Sequence, residues 1–402
     1  MDEIRFSYIK RDMLDQYAEL LRLSFPDEGV DVLGKRLYDN HPKMTEQNFY
    51  ALWDGDTMVA TLNIIPQMWS IGGVPLRIAE MGLVATHPSY RGRGLQRRLN
   101  AEFDKQTKLE GYHLAGLEGI PYFYRQFGFE YAVPLDENAT IPLTKLPNES
   151  SPPFSPLLQS EIPQAMRLLK NLQKRYIVHS IRSLREWETQ EKTCWVGEHN
   201  STTYALREDG KLKAYVRVET KGKEILLHEH VGVDAKTSPE VAVFLRRLGE
   251  QKGATELVSR ESYSEPFSEY LLRLGASRRT AYAWQMKVVD HKRILEILAP
   301  VFEERIEKSS LKNYTGSIPF NFYKVAVSLS FKDGKYTGAV EVPSEQKSDA
   351  LINPRVFPKL LLAYRSLGEL MAEYPDIRIK PEYIPIIDTL YPKGEAHIHT
   401  CY

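Results

Sequence analysis

Apolar positions along the first 140 residues alternate between strand and helix rhythms. Residues 4–8 read as a short strand, and 10–24 set Met13, Tyr17, Leu20, Leu21 and Phe25 along one side of a helix. Residues 49–53 and 57–70 read as strands joined at Asp54-Gly55, a dipeptide suited to a tight hairpin. A second hairpin turns at Gly72-Gly73 and leads into a strand over 79–86. Leu95, Leu99 and Phe103 then recur every fourth position, which lays one face of a helix on the sheet. A strand follows at 112–118, and after it the aromatic run Tyr122-Phe123-Tyr124-Arg125-Gln126-Phe127-Gly128-Phe129.

Residues 142–156 hold five prolines and three serines and read as a linker. Beyond it the pattern repeats in worn form. Tyr204-Ala205-Leu206-Arg207-Glu208-Asp209-Gly210 echoes Tyr50-Ala51-Leu52-Trp53-Asp54-Gly55, and Leu271-Leu272-Arg273-Leu274-Gly275 echoes the run ending at Gly128. A third segment begins near Val288-Val289-Asp290. It has a helix at 291–300, strands at 322–331 and 336–342 turning at Asp333-Gly334, a helix over 356–371 and an extended tail. The pattern predicts an α+β chain of three domains, 1–146, 157–288 and 289–402, with mixed sheets flanked by helices.

Length and composition fit this division. The chain has 402 residues, 42% hydrophobic and 26% charged, with a formal net charge of zero. Neutrality disfavours a general attraction to nucleic acid or anionic membrane. The start, Met1-Asp2-Glu3-Ile4-Arg5, lacks the apolar stretch of a secretory leader, and no run is long enough to span a bilayer. Cys194 and Cys401 are too few for a disulfide framework or a cysteine metal site. A cytoplasmic, soluble protein is expected.

The chemistry concentrates where strand 79–86 runs into Arg91-Gly92-Arg93-Gly94-Leu95-Gln96-Arg97. Glycines at a helix start leave backbone N–H groups free at the positive end of the helix dipole, and three arginines add charge. The sequence lacks the Gly-Lys-Ser/Thr ending of a nucleotide-binding loop and the three-glycine dinucleotide fingerprint. Arg91 through Gly94 to Gln96 resembles the Q/R-x-x-G-x-G/A signature of the GCN5-related N-acetyltransferases, with Gln96 departing from its last position. In the second copy, Val233-Asp234-Ala235-Lys236-Thr237-Ser238-Pro239 stands at the cradle's place. It has no glycine and carries an aspartate, so that copy is expected to bind no acetyl-CoA.

The three segments together resemble the enhanced-intracellular-survival (Eis) family of acetyltransferases. The matches are His87-Pro88-Ser89-Tyr90-Arg91-Gly92-Arg93-Gly94-Leu95, Tyr124-Arg125-Gln126-Phe127-Gly128-Phe129 and, in the tail, Leu390-Tyr391-Pro392. The resemblance implies tandem acetyltransferase folds, the first active and the second degenerate, and a sterol-carrier-protein-like C-terminal domain. It implies acetyl-CoA held by Val84, Ala85, Thr86, Arg91, Gly92, Arg93, Gly94, Leu95, Gln96, Arg97, Gly119 and Ile120. It further implies Tyr124 as the acid that protonates the departing thiolate and the carboxylate of the last residue, Tyr402, as the base. A homo-oligomer, in the family a hexamer, is implied as well. Family members end in phenylalanine after an acidic residue, whereas this chain ends Cys401-Tyr402.

The proposed pair differs in how readily each can act. A phenol of pKa near 10 stands close to a thiol near 8.5, so Tyr124 suits the acid's role. A free carboxylate of pKa about 3.5 facing an ammonium of about 10.4 is separated by roughly 7 units, on the order of 9 kcal/mol. The carboxylate then serves only if the site desolvates the pair, lowers the amine's pKa or relays the proton through water. Other candidate bases are Glu80 and a water near Val84. Asp27 and Glu28 are either lining of the acceptor entrance or an ordinary solvated loop. His228-Glu229-His230 and His397-Ile398-His399 each set two imidazoles on one strand face, with no carboxylate or cysteine at a supporting spacing, so no metal is expected. The expected activity is acetyl transfer to amines of small aminoglycoside- or polyamine-like molecules or of lysine side chains. A lipid or small-molecule carrier with a residual acetyltransferase fold is the alternative, and a modifier of histone-like or ribosomal proteins a third.

Overall fold

The computed structural model describes residues 4–402 apart from 27, 136, 151–152, 280 and 345–348; Asp27 therefore lies outside the described residues. The first part of the chain runs β1 (Arg5–Tyr8), α1 (Leu14–Ser24), α2 (Val30–Asn40), β2 (Phe49–Asp54), β3 (Thr57–Ile71), β4 (Val74–Thr86), α3 (Leu95–Leu109), β5 (Leu114–Leu117), β6 (Glu130–Leu135) and β7 (Ala139–Pro142). Strands β1 to β4 form an antiparallel meander, turning at the expected Asp54-Gly55 and Gly72-Gly73. The crossover through α3 makes β5 parallel to β4. Leu99 and Phe103 on α3 are fully buried against this sheet, as their spacing predicts. Helix α2 was absent from the sequence reading. It packs on α1 so closely that a Cβ at Gly34 would lie 2.7 Å from Leu21 Cδ1.

Two strands cross the expected domain boundaries. Tyr282–Val288 leaves the second unit and inserts between β5 and β6 of the first sheet, while β7 joins the second sheet beside Glu256–Ser259. Trp284, Met286 and Val288 alternate into the core around Leu114 and Ile78. Gly116 is a glycine because Met286 Sδ would sit 2.7 Å from any Cβ there. Nor is 142–156 a free linker: Leu143 and Leu146 enter the second core, and Phe154 stacks on Phe244 at 4.3 Å.

The second sheet runs Ser277–Arg278, β7, Glu256–Ser259, Glu224–Val231, Lys211–Lys221, Thr202–Glu208, Phe154–Pro156. Its hairpin turns at Asp209-Gly210, and Gly275 repeats the positive φ of Gly128, both at 90°. In the third segment the strands Ala326–Lys332 and Lys335–Val342 turn at Asp333-Gly334, joined by an unforeseen strand Gly316–Asn321. The expected helix over 356–371 is two helices, Phe357–Leu361 and Leu367–Glu373, broken at Ala363 (φ 60°) and restarted by the Ser366/Glu369 capping box. The tail carries a helix, Ile384–Leu390, before Ala396–His397 pairs with Val178–Ser180, itself bound to the end of β3.

The inserted strand gives a direct expectation for fragments. A polypeptide of residues 1–146 lacks the strand that fills the gap between β5 and β6, and it carries β7 without a partner. Circular dichroism and a denaturant titration should show no cooperative unfolding for it, where the full chain should show a cooperative transition.

Candidate active site

Parallel pairing between β4 and β5 starts at Ile78↔Leu114 and stops at Glu80↔Gly116, although β4 continues to Thr86. Past that point the strands part and a cavity of about 890 Å³ opens between them. In the same stretch β4 bulges: Thr61 pairs with Ala85 and Asn63 with Gly82, so Leu83 and Val84 together face Leu62. Leu83 takes φ 52°, a strained value for a leucine.

The mouth of the cavity is the cradle. Gly92 and Gly94 have φ of 76° and 74°, and a Cβ at either would meet nothing within 4 Å, so a ligand has room to approach the backbone. Gly94 opens α3, whose first intrahelical bond runs from Arg98 N–H to Gly94 O at 3.2 Å. The N–H groups of Leu95, Gln96 and Arg97 precede it and have no helical partner. Arg91 is exposed; Arg93 bonds Ser89 O and stacks over Tyr90, and Arg97 bonds Gln126 Oε1 at 2.8 Å. The departure at Gln96 is a brace: its amide donates to Ala85 O at 2.7 Å and Thr86 Oγ1 at 2.9 Å, fastening the helix start to β4.

Carboxylates line the cavity as well, and one of them is buried. Glu80 is 4% exposed, and burial raises its pKa to about 7 against the lowering effect of hydrogen bonds from Tyr402 Oη (2.8 Å) and Gln67 Nε2. Glu28, Glu118 and Glu198 line the same space. Tyr124 lies in the short helix Phe123–Phe127, closed by Gly128, and burial raises its phenol to about 12. Its ring rests on Gly119, where a Cβ would be 2.5 Å from Tyr124 Cε2. Tyr282 Oη and Gln285 Nε2, both from the inserted strand, donate to Gly119 O and hold this turn in place.

All the residues expected to bind acetyl-CoA line this one cavity together with Tyr124 and Tyr402: Val84, Ala85 and Thr86, the cradle from Arg91 to Arg97, Gly119 and Ile120. Tyr402 meets the buried acid through its phenol, while its backbone oxygen accepts from Gly197 N–H at 2.5 Å and Gln190 Nε2 at 3.4 Å. The sequence reading ranked Glu80 only as a substitute and missed Gln67, Glu118 and Glu198. Glu80 was detectable as a lone acid inside an apolar strand. In the second copy the Asp234 carboxylate accepts from the N–H groups of Lys236 and Thr237, both at 2.9 Å, so the loop binds its own anion. Carboxylates do stand near the singled-out histidines: Glu219, from the adjacent strand of the same hairpin, beside His228 and His199, and Glu261, far away in sequence, beside His397 and His399.

The first sheet with its parted strands and glycine cradle is a GNAT acetyltransferase fold, and residues 5–132 match the family model for the acetyltransferase (GNAT) domain. The whole chain is similar in structure to a GCN5-related N-acetyltransferase from Anabaena variabilis (TM-score 0.76, 14% identity, all of both chains covered). It is similar over the same full lengths to a conserved Enterococcus faecalis protein described as a probable N-acyltransferase (TM-score 0.75, 15% identity). Eis1 from Mycobacterium abscessus also aligns over both complete chains (TM-score 0.63, 11% identity). No curated protein matches the chain by sequence. Among the described residues no helix is long and apolar enough to cross a membrane.

Proposed function

We propose that the chain is an acetyl-CoA-dependent N-acetyltransferase of cationic amines, with one active domain and an Eis-like organisation. The observation that carries this reading is the polarity of a single cavity: Arg91, Arg93 and Arg97 at its mouth, Glu28, Glu80, Glu118 and Glu198 elsewhere on its wall. The arginine-rich helix start suits a pyrophosphate, and the acidic wall suits an acceptor that arrives as an ammonium. A sterol-carrier-like role for the third segment and a homo-oligomeric assembly are further parts of the Eis-like proposal. The lipid-carrier alternative is less well supported, because a carrier has no use for an open cradle beside a buried acid.

In the proposed reaction the neutral amine attacks the thioester carbonyl, a C–N bond forms, the C–S bond breaks, and CoA leaves as the thiol. Glu80 is the base favoured here. With its pKa near 7, proton transfer from an ammonium spans only about 3 units, on the order of 5 kcal/mol, against roughly 9 for an ordinary carboxylate such as a chain terminus. Tyr402 holds and orients Glu80. Tyr124, protonated throughout the neutral range, donates to the sulfur as negative charge develops on it.

Calorimetry with acetyl-CoA tests the reading at its base. Arg91→Glu combined with Gly94→Val should abolish binding; the exposed Arg91 change leaves the unfolding transition nearly unchanged, whereas valine at φ 74° lowers it by a modest amount without preventing folding. Unaltered affinity in the folded double variant would remove the cradle from the site.

Titration gives a second expectation. Glu80 must be ionised to accept a proton, so kcat should fall as pH drops through about 7 and level off above it. Glu80→Gln should erase that limb and lower kcat by roughly 10²-fold or more. Tyr124→Phe should lower kcat while acetyl-CoA affinity stays close to wild type. Steady-state rates over pH 5.5–9 for the three proteins, with a panel of amines as acceptors, decide between Glu80 and another base.

A further inference from the structure

The second sheet parts as the first does. Parallel pairing between Glu224–Val231 and Glu256–Ser259 ends at Leu227↔Ser259, and Glu261 lies just beyond, at the position that corresponds to the open cavity of the first copy. Here the gap is filled by the tail. His397 Nε2 stands 2.8 Å from Glu261 Oε2, and His399 Nε2 stands 3.8 Å from Glu261 Oε1. One ligand atom from each of these three residues lies within 4.8 Å of the other two.

Two features separate this cluster from an ordinary buried ion pair. Glu261 is completely buried and His399 is 4% exposed; His397 pairs with one Glu261 oxygen, yet the other oxygen and both His399 ring nitrogens have no hydrogen-bond partner. The nearby cations are engaged elsewhere: Arg182 grips both oxygens of Glu229, Arg217 reaches Glu191 at 2.7 Å, and Arg260 lies 2.7 Å from His199 Nε2. The charge of His230 also acts on this carboxylate, and its Nε2 is likewise buried without a partner. The other cluster, His199, Glu219 and His228, differs on each point. His199 Nδ1 and His228 Nε2 both bond Glu219, and Arg260 sits against the remaining nitrogen of His199, where it would repel a metal ion.

We propose that Glu261, His397 and His399 form a site for a divalent cation of the zinc class. Two imidazoles and one carboxylate suit that class in number and in softness and leave a position for water. A cavity of about 90 Å³ reaches His397 and His399 and provides the approach. The bound cation clips the tail to the second unit. The tail runs on from His399 to Tyr402, whose phenol touches Glu80, so the degenerate copy fixes a residue of the first copy's cavity.

The test uses the full chain, stripped of metal by chelation and titrated with zinc chloride against a chromophoric chelator. Uptake of roughly one equivalent is expected, with an X-ray absorption spectrum of imidazole and oxygen ligands and no sulfur. Glu261→Gln and His399→Ala should each weaken binding by on the order of 10²-fold or more, and His228→Ala should leave it unchanged. Hydrogen exchange over residues 396–402 should slow when zinc is added to the wild type. Absence of stoichiometric uptake by the folded wild type, a sulfur-bound spectrum, or loss of the site in His228→Ala but not in Glu261→Gln would overturn the assignment. Exchange unaffected by bound zinc would overturn the role as a clip. The wild-type spectrum and exchange need no variant to fold, and none of these readouts depends on acetyl transfer.

Discussion

The point at which β4 and β5 cease to pair governs the rest of the first unit. Two parallel strands that part leave unpaired backbone groups facing one another, and such groups are costly unless a ligand or water meets them. The structure does not close this gap with a side chain. It keeps the gap open with a bulge at Leu83, a glycine at 119 and the Gln96 brace, and places the cradle at its mouth. The position of Glu80 in the last parallel pair has the same origin. One residue earlier or later along the strand, its side chain would face the other side of the sheet.

The exchange of strands between the two units makes this gap durable. Were the first sheet to end at β5, the turn through Gly119 would hang from a free edge. Tyr282–Val288 covers that edge and, through Tyr282 and Gln285, grips Gly119 O directly. A chain segment far away in sequence thus sets where the Tyr124 ring rests. In the second unit the corresponding loop bonds its own Asp234, while a strand that follows that unit in sequence supports the cavity of the first.

Local chemistry was legible in the sequence and long-range partnership was not. The cradle, the Asp54-Gly55, Asp209-Gly210 and Asp333-Gly334 turns and the closing Gly128 all follow from residues within a few positions of one another, where backbone sterics decide the outcome. The alternation Trp284, Met286, Val288 announces a strand equally well in either sheet, so its true neighbours could not be read from it. The break in the expected 356–371 helix has a local signal, the Ser366-x-x-Glu369 capping box. Glu261 and the tail histidines had none, since the carboxylate and the imidazoles meet only once the tail has docked.

The two copies show what becomes of one architecture under opposite demands. In both, a parallel pair ends early and a helix begins beside the opening. Where a substrate must enter, glycines leave the helix start bare and a single buried carboxylate is left close to half-ionised, a state that costs stability but can exchange a proton at neutral pH. Where nothing need enter, the polar groups are largely turned on one another: Asp234 on its own loop, Arg182 and Arg217 on Glu229 and Glu191. Removing one member of the buried Arg–Glu network would strand a charge in the interior, which makes the network costly to break. The tail is laid across it, Gln190 donating to Thr400 O, and its last residue meets Glu80 in the neighbouring unit.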